Sequence, residues 1–316
     1  MTAPFRYKGL GYLVLDVPDI ERSTRFALDV FGLDLVSEAA DGSRFFRGSL
    51  QHHDVIFRPA AAPKVARSAW ELETPAELDK AFAHFAALGF APVWVSEQEC
   101  RALEIERAFR TVDDVLGLTW EYFVDMTIVP SPRVNRLTSF QGGKHFGLNV
   151  SDGQKACRLF VDNMGFQLSD YFEGDKVTLL RAWPNPNHHS LAVLGGYDGP
   201  IRFHHVAFMV NEIDDIGRLF NRAKRLNVDI HFGIGRHPTS GSIHLYIYDH
   251  DNFVWEYTLG MEQFPETGAR RARRMSSAPE DFDLWGAEPD NGRKDALPEV
   301  VTRLPTRLEA IPRHAS

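Results

Sequence analysis

Short stretches of alternating or continuous hydrophobic residues recur along the chain, and longer amphipathic stretches stand between them. A period of two predicts β-strands, whereas apolar positions three and four residues apart predict helices. Strands are predicted over 9–17, 53–58, 67–73, 118–124, 144–150, 176–182, 189–194, 203–210, 243–248 and 253–258. Helices are predicted near 19–31, 76–88, 152–164 and 212–226, with N-caps at Asp19, Thr74, Ser151 and Asn211.

The pattern of the first half of the chain returns in the second half. The segments GYLVLDV, SAWELET and TWEYFVD recur in the same order as KHFGLNV, FHHVAFMV and FVWEYTL. This repeat pairs Tyr12 with His145, Trp70 with His205 and Glu121 with Glu256, and the last two positions stand 51 residues apart in both halves. In each half an amphipathic stretch ends at a glycine, Gly32 or Gly165, which is typical of a helix stop before a strand.

The repeat predicts an α+β fold of two tandem modules, each made of paired βαβββ units. Such a sheet must bury one face, so we expect it to curl into a partial barrel with helices outside and a central hollow. The modules are expected over 1–130 and 138–262, followed by a C-terminal extension over 263–316. Only the second half carries two histidines at the matched positions, so we interpret the first module as a non-catalytic scaffold.

Composition and charge narrow the class of protein. A chain of 316 residues with 44% hydrophobic content suffices for about two domains. It has no apolar run long enough for a membrane helix and no basic-then-apolar leader, so a cytoplasmic protein without membrane contact is expected. Cys100 and Cys157 are expected to be buried thiols in a reducing compartment. The net charge of -8, with both signs interspersed, argues against a nucleic-acid partner.

Three residues of the second half carry candidate chemistry, and each falls in a separate strand-like segment: His145, His205 and Glu256. Two imidazoles and one carboxylate on one face are the ligands of non-haem Fe(II) oxygenases, and they leave positions open for substrate and O2. The pattern therefore predicts an iron site in the second module.

Two of these assignments have alternatives. His204 competes with His205; strand alternation lets only one of them face the hollow, and the register of Trp70 favours His205. Glu256 alone is ambiguous, because Glu121 has the same setting without histidine partners. A carboxylate can persist there structurally, bonded to Tyr12 or another donor.

The chain resembles the type I extradiol (catechol 2,3-dioxygenase-like) ring-cleavage dioxygenases of the vicinal oxygen chelate superfamily over residues 8–262. The resemblance is most specific in HHVAFMV, NHHSLAV and GRHPTSGSIHLYIYDHDNFVWEY. It implies a glyoxalase/bleomycin-resistance-like fold and a C-terminal catalytic module with metal ligands at His145, His205 and Glu256. These are the same three residues that the repeat indicates.

The resemblance also implies roles for three further residues. His189 would be the acid/base, since an imidazole titrates near neutrality. Tyr246 would hydrogen-bond a substrate oxygen, and His237 would buttress it or close the pocket. Each also has a structural interpretation: a packing role for His189, a barrel-wall aromatic for Tyr246 and a loop residue for His237.

Other side chains receive weaker expectations. Phe146, Arg181 and Trp183 are expected near the substrate pocket, where an arginine would suit a carboxylated catechol, although strand parity leaves open whether Arg181 faces inward. Outward or surface positions are expected for His188, Tyr248, His244 and His250. The basic run Arg270, Arg271, Arg273 and Arg274 is expected to pair with the acidic stretch around Glu280, Asp281 and Asp283, or with another subunit.

The expected function is an extradiol dioxygenase that uses Fe(II), or Mn(II) in its place, to insert both atoms of O2 into a substituted catechol beside the diol. A homo-oligomer is expected from the resemblance. Two alternatives stay open: another metal-dependent enzyme of the same fold, such as an isomerase, epimerase or thiol transferase, or a small-molecule-binding protein without catalysis. The sequence does not determine which catechol or which cleavage position is used.

Overall fold

The structure, a computed structural model, describes residues 3–303. Its strands are β1 (Tyr7–Val17), β2 (Asp34–Glu38), β3 (Arg44–Arg47), β4 (Val55–Pro59), β5 (Lys64–Leu72), β6 (Val93–Trp94), β7 (Ile105–Val112), β8 (Thr119–Met126), β9 (Phe140–Asn149), β10 (Phe166–Phe172), β11 (Val177–Ala182), β12 (Leu191–Leu194), β13 (Arg202–Val210), β14 (Ile230–Arg236), β15 (Ile243–Tyr248), β16 (Val254–Leu259), β17 (Arg273–Met275) and β18 (Glu299–Val300). The helices are α1 (Ile20–Arg25), α2 (Pro75–Ala87), α3 (Glu97–Ala102), α4 (Gly153–Arg158), α5 (Ile213–Arg225) and α6 (Pro279–Phe282). Short 3-10 turns follow at Glu173–Asp175 and Asn291–Ala296.

The two modules have the same strand order, which confirms the predicted tandem repeat and the α+β class. The first runs β2-β3-β4-β1-β5-β8-β7-β6. The second runs β10-β11-β12-β9-β13-β16-β15-β14. In both, the two central antiparallel strands are flanked by parallel partners, and the sheet curls without closing among the described residues. Each sheet therefore has an inner concave face that can hold a site.

The helices begin and end where polar caps and glycines permit. Asp19 and Thr74 cap α1 and α2 through their side chains, as predicted. Ser151 does not cap α4, because the next residue, Asp152, accepts the bond from Lys155 N. Asn211 does not cap α5 either, since the helix begins after Glu212 without a side-chain bond.

Both short helices that precede β2 and β10 continue into π-helical segments, Phe26–Phe31 and Leu159–Asn163. The first ends at Gly32, whose φ of 95° confirms the predicted glycine stop. The chain then turns into the following strand in both modules.

One large hydrophobic cluster spans both modules. Phe31 of the first module packs its ring 4.9 Å from the rings of both Trp255 and Tyr257 of the second. Trp70 of β5 lies 5.9 Å from Phe146 of β9 in the same way. Since burying one large apolar side chain contributes roughly 2 kcal/mol, these contacts hold the modules together firmly.

Cross-strand pairing shows which positions of the two modules correspond. One row of neighbouring residues crosses β1, β5, β8 and β7, and the matching row crosses β9, β13, β16 and β15. The first row is Tyr12, Ala69, Glu121 and Arg110, and the second is His145, Ala207, Glu256 and Tyr246. The predicted pairs of Tyr12 with His145 and Glu121 with Glu256 are therefore confirmed.

The predicted pairing of Trp70 with His205 is wrong by three residues. His205 stands opposite Gly147, and the residue in the matching place, opposite Val14, is Arg67. An odd slip moves a side chain to the other face of a strand, so Trp70 lies in the core at 0% exposure instead of facing the hollow. The equal 51-residue spacings are coincidental, because Arg67 and Glu121 are 54 residues apart.

The C-terminal extension folds back over the second module. Strand β17 pairs in parallel with β10, and β18 joins β13 of the second module to β5 of the first. The expected pairing of the basic run with the acidic stretch is wrong: Arg270 and Arg273 pair with Asp170 and Glu262. The remainder of the predicted extension, 304–316, lies outside the described residues. Within the described part, no helix is both long and apolar enough to span a membrane.

Candidate metal centre

Three neighbouring strands of the second module bring His145, His205 and Glu256 together. They lie on β9, β13 and β16, and one donor atom from each lies within 4.8 Å of the others. Oε2 of Glu256 is 2.9 Å from Nε2 of His145 and 3.4 Å from Nε2 of His205. All three residues are buried. The two imidazole edges and the carboxylate therefore converge on one point inside the hollow.

The surroundings keep the ring of His205 neutral and oriented. Burial lowers the pKa of His205 well below its ordinary value. Its Nδ1 lies 2.6 Å from Nδ1 of His204, so the ring turns its Nε2 edge toward Glu256. His204 thus supports His205 from behind. A neutral ring with a free Nε2 is the form that binds a metal ion.

The matching place in the first module shows how a buried carboxylate is neutralised without a metal. Glu121 accepts hydrogen bonds from Tyr12, from Arg67 Nε at 3.0 Å and from Arg110 Nε at 2.5 Å. Burial alone would raise the pKa of Glu121, but Arg110 and Arg67 outweigh it and hold that pKa at about 2. The expectation that Tyr12 or another donor keeps Glu121 in place is confirmed.

Glu256 lacks these compensating charges. In the second module His205 stands at the position of Arg67, and Tyr246 stands at the position of Arg110. A tyrosine and a neutral histidine carry no positive charge. Oε2 of Glu256 lies 2.9 Å from Nε2 of His145, but neither carboxylate oxygen has the geometry of a hydrogen bond with any described residue, and Nε2 of His205 has no partner either. A buried, unpaired carboxylate is costly, and a divalent cation would remove the cost. The residues present therefore fit a metal ion with two nitrogen ligands and one oxygen ligand.

Three further polar side chains surround this point. The ring of His189 lies 4.1 Å from that of His145, and His189 itself stands in the loop just before β12, not inside the predicted strand. The ring of Tyr246 lies 5.2 Å from that of His205. The hydroxyl of Tyr246 donates to Nε2 of His237 at 3.1 Å, because Nδ1 of His237 donates to the carbonyl of Phe282 at 3.2 Å. Burial, with the nearby Glu256, raises the pKa of Tyr246 well above its ordinary value.

The three residues expected near the substrate are placed differently from one another. Phe146 does not join the hollow, because it follows His145 directly and so points to the opposite face, into the core. Trp183 lies beyond the end of β11 and packs against Arg6 at 4.8 Å. Arg181 alternates with the core residue Leu180 and therefore shares the inner face with His145, two strands away.

Arg181 is held by its neighbours without an ion pair. Its guanidinium donates to Ser169 at 3.2 Å and to Gln167, and it lies 4.3 Å from the ring centroid of Phe264. Within residues 3–303, no carboxylate oxygen lies within ion-pair distance of it. The positive charge of Arg181 is therefore available to an acidic group of a bound molecule.

Several expectations of exposure are wrong. His244 is fully buried and bonded to Asp283 at 2.9 Å, because the C-terminal extension covers it. His250 is partly buried and lies 3.3 Å from Ser23 of the first module. Tyr248 does not face outward, since residues two apart on a strand share a face; it is buried beside Tyr246.

Sequence reasoning missed Phe232. It lies opposite Tyr246 on β14, and the two rings stack with centroids 5.6 Å apart. Only the alternation of HFGIG could have indicated this position, and its glycines weaken that pattern.

Comparison with known proteins identifies the fold family. The model of the Glyoxalase/Bleomycin resistance protein/Dioxygenase superfamily matches residues 9–122 and 143–257, once for each module. The chain belongs to this superfamily. The match covers both rows of corresponding residues and agrees with the internal repeat.

Individual known proteins extend the likeness along the chain. An iron-dependent extradiol dioxygenase of Rhodococcus jostii (strain RHA1) is 24% identical over 300 residues, with 89% of this chain and 99% of that protein covered. Homoprotocatechuate 2,3-dioxygenase from Arthrobacter globiformis superposes with a TM-score of 0.82 at 23% identity, covering 96% of this chain and 94% of the other. The Mn(II)-bound glyoxalase from Novosphingobium aromaticivorans superposes with a TM-score of 0.80 at 26% identity, covering 95% and 96%.

Proposed function

We propose that this protein is an extradiol ring-cleavage dioxygenase, which inserts both atoms of O2 into a substituted catechol and opens the ring beside the diol. The observation that carries the proposal is the buried carboxylate of Glu256, which faces the imidazoles of His145 and His205 and has no lysine or arginine partner among the described residues. That donor set suits a facially bound ferrous ion with open positions. The similarity to an iron-dependent extradiol dioxygenase supports the same reaction.

Fe(II) is the metal we assign to His145, His205 and Glu256, with Mn(II) as the alternative. When bound, the ion would hold both catechol oxygens beside O2 and would lower the pKa of a bound phenol. Nitrogen and oxygen donors of this kind accept either ion. Proteins similar to this chain are named for dependence on each of the two metals.

The surrounding side chains supply the proton handling. We assign to His189 the role of accepting the phenolic proton, since its ring stands 4.1 Å from that of His145 and burial lowers its pKa well below the ordinary value, which keeps the ring neutral. Tyr246 is placed to hydrogen-bond a substrate oxygen, and His237 orients its hydroxyl. The aromatic rings of Tyr246 and Phe232 form an apolar wall beside these groups.

Arg181 suggests the substituent on the ring. It lies on the inner face without a carboxylate partner in the described chain, and burial lowers its pKa. A carboxylate on the catechol would pair with it. We therefore expect acidic catechols to bind more tightly than neutral catechols of equal size.

The test is direct. The chain is purified anaerobically, loaded with Fe(II) or Mn(II), and mixed with neutral and carboxylated catechols in air-saturated buffer. Oxygen uptake equimolar with a yellow ring-opened product is expected. The absence of turnover across the panel by a metal-loaded, folded protein would contradict the proposal.

A glyoxalase activity is the second candidate, favoured by the likeness to the Mn(II)-bound glyoxalase. That reaction is an isomerisation and consumes no oxygen. Incubation of the metal-loaded protein with methylglyoxal and glutathione under argon distinguishes it, because the dioxygenase cannot turn over without O2. Conversion under argon, with no oxygen uptake on catechols, would favour this second function.

We further assign the protein to the cytoplasm and to a homo-oligomer. Its cysteines, Cys100 and Cys157, form no disulfide, as suits a reducing compartment. Light scattering of the purified protein measures the oligomeric state, and a mass of one chain would contradict the second assignment.

A further inference from the structure

Behind His189 runs a buried chain of polar contacts that leads away from the candidate metal centre. Nδ1 of His189 lies 3.1 Å from Nδ1 of His188, and Nε2 of His188 lies 2.8 Å from Oδ2 of Asp170. Asp170 and His188 are both 0% exposed. This series of contacts ends at two arginines of the C-terminal extension, Arg270 and Arg273.

These arginines fix the charge of Asp170. Arg270 reaches its two oxygens at 2.8 and 3.0 Å, and Arg273 reaches them at 3.1 and 2.6 Å and adds its backbone N–H at 2.8 Å. Burial acts against the charge, but His188 and the arginines hold the pKa of Asp170 far below its ordinary range. Asp170 is therefore a carboxylate, which accepts hydrogen bonds and donates none.

The direction of each hydrogen bond follows from that charge. Nε2 of His188 must carry the proton that it donates to Asp170. Burial keeps His188 neutral by lowering its pKa, so its Nδ1 has a lone pair. Nδ1 of His189 must then be the donor to that lone pair, and Nε2 of His189 is left without a proton.

We propose that Asp170 and His188 are positioning residues, which set the tautomer of His189 so that its basic Nε2 faces the bound substrate, and that the C-terminal extension completes this relay through Arg270 and Arg273. The proposal rests on the proposed function, since it concerns the base of that reaction. It also assigns a role to the extension, whose Arg270 and Arg273 hold Asp170 in place.

The first module contains the same pair of histidines, but its described residues include no counterpart of Asp170 and its two arginines. His52 and His53 occupy the places of His188 and His189, and their Nδ1 atoms are also 3.1 Å apart. The partner of His52 Nε2, however, is the hydroxyl of Ser37 at 3.3 Å, where the second module has Asp170. A hydroxyl can donate or accept, so it does not fix the tautomer. The carboxylate and its arginines are present only in the module that carries the candidate metal centre.

The substitution Asp170→Asn tests the relay. Arg270 and Arg273 would hold the single amide oxygen, so the NH2 group would turn toward His188 and donate to its Nε2. His188 would then carry its proton on Nδ1 and His189 on Nε2, which is the wrong edge for a base. A misplaced tautomer in a comparable Asp–His pair costs on the order of 10⁴-fold in kcat, and we expect a loss of at least ~10²-fold here.

Two measurements separate positioning from a structural effect. Metal content and KM should stay within a few-fold of wild type, because Asp170 touches neither the ligands nor the hollow, and only kcat should fall. In metal-free protein with ¹⁵N-labelled histidine, proton–nitrogen correlation spectra report the tautomer, and the His189 signals are identified by their loss in His189→Asn. Wild type should show the Nδ1–H form and Asp170→Asn the Nε2–H form.

Matched variants complete the experiment. His188→Leu breaks the relay and leaves the ion pairs between Asp170 and the arginines intact. This variant should also bind metal and have a lower kcat. It tests the proposal if Asp170→Asn fails to fold. His52→Leu in the first module and Arg271→Ala in the extension should leave kcat unchanged.

An unchanged tautomer in Asp170→Asn, or wild-type kcat in both relay variants, would overturn the proposal. If the wild-type protein turns over no catechol, the proposed function fails, whereas the tautomer measurement still decides the hydrogen-bond direction.

Discussion

The same substitution at two corresponding positions should change stability in opposite directions. Glu121 and Glu256 occupy matching places in the two sheets, and both side chains are completely buried. Glutamine preserves the size of either side chain and removes only the charge. We predict that Glu121→Gln destabilises the metal-free protein and that Glu256→Gln stabilises it.

The magnitudes follow from the partners of each carboxylate. Glu121→Gln leaves Arg110, only 4% exposed in its side chain, and the nearby Arg67 without their main counter-charge. Removing one member of a buried ion pair costs about 3 to 5 kcal/mol. Glu256→Gln instead removes a charge that has no hydrogen bond among the described residues. Relief of such an unsatisfied group should gain about 1 to 3 kcal/mol.

Denaturant unfolding followed by circular dichroism measures both effects. With EDTA present, the urea midpoint of Glu121→Gln should fall below that of wild type and the midpoint of Glu256→Gln should rise above it, with little change in slope. Addition of Mn(II) should then reverse the second ranking. At a hundred-fold excess over the dissociation constant, a bound ion stabilises the native protein by about 2.7 kcal/mol, which wild type and Glu121→Gln should gain and Glu256→Gln should lack.

Two results would refute this reasoning. If both variants lost stability equally in EDTA, Glu256 would have a compensating partner in the metal-free protein, and the case for a missing cation would fail. If Glu256→Gln kept the full stabilisation by Mn(II), the ion would bind somewhere other than the proposed centre.

Three further outcomes are expected. His189→Asn should retain metal but lower kcat by about 10² to 10⁴-fold, whereas His53→Asn, its counterpart in the first module, should leave turnover and metal content unchanged. Tyr246→Phe should retain metal and lower kcat by about ten-fold through the loss of one hydrogen bond worth roughly 1.5 kcal/mol, as measured by steady-state oxygen uptake. Acidification should destabilise the metal-free protein, because burial lowers the pKa of His231 from 6.5 to about 4 and its folded ring stays neutral while the unfolded ring gains a proton. That stability is present above pH 6.5 and declines toward pH 4, and thermal unfolding of His231→Phe should show a weaker dependence across this interval.

Local pattern predicts much of this fold because the strands that form the middle of each sheet are continuously apolar or alternate strictly. That pattern predicts strands β1, β9, β13 and β16. Strand β7 was not, because IERAFRTV places charged residues where an apolar strand is expected. Its Arg110 is buried and forms ion pairs with Glu121, which lies opposite on β8, and with Glu99. The alternation of residues along one strand cannot reveal pairs of this kind.

The sequence also predicts the three residues that converge as candidate ligands, but not the reason for their convergence. The repeat aligns Tyr12 with His145 and Glu121 with Glu256 correctly, while the slip that pairs Trp70 with His205 hides Arg67. Without Arg67 in its true place, the first module gives no sign that its carboxylate is neutralised by guanidinium groups. The burial of His244 and the links from Asp170 to Arg270 likewise depend on the path of the extension, which local periodicity does not determine.

The comparison of the two modules separates what the fold requires from what the chemistry requires. Both sheets accommodate a buried glutamate at the same point, so the carboxylate by itself does not indicate a metal. In the first module Arg67 and Arg110 donate to the glutamate and neutralise its charge. They also fill the space that a metal ion would need. The second has His205 and Tyr246 at those positions, so no lysine or arginine among the described residues balances the charge of its glutamate. We therefore propose that the balance of charge at this shared position, and not the shape of the barrel, determines which module can bind a metal ion.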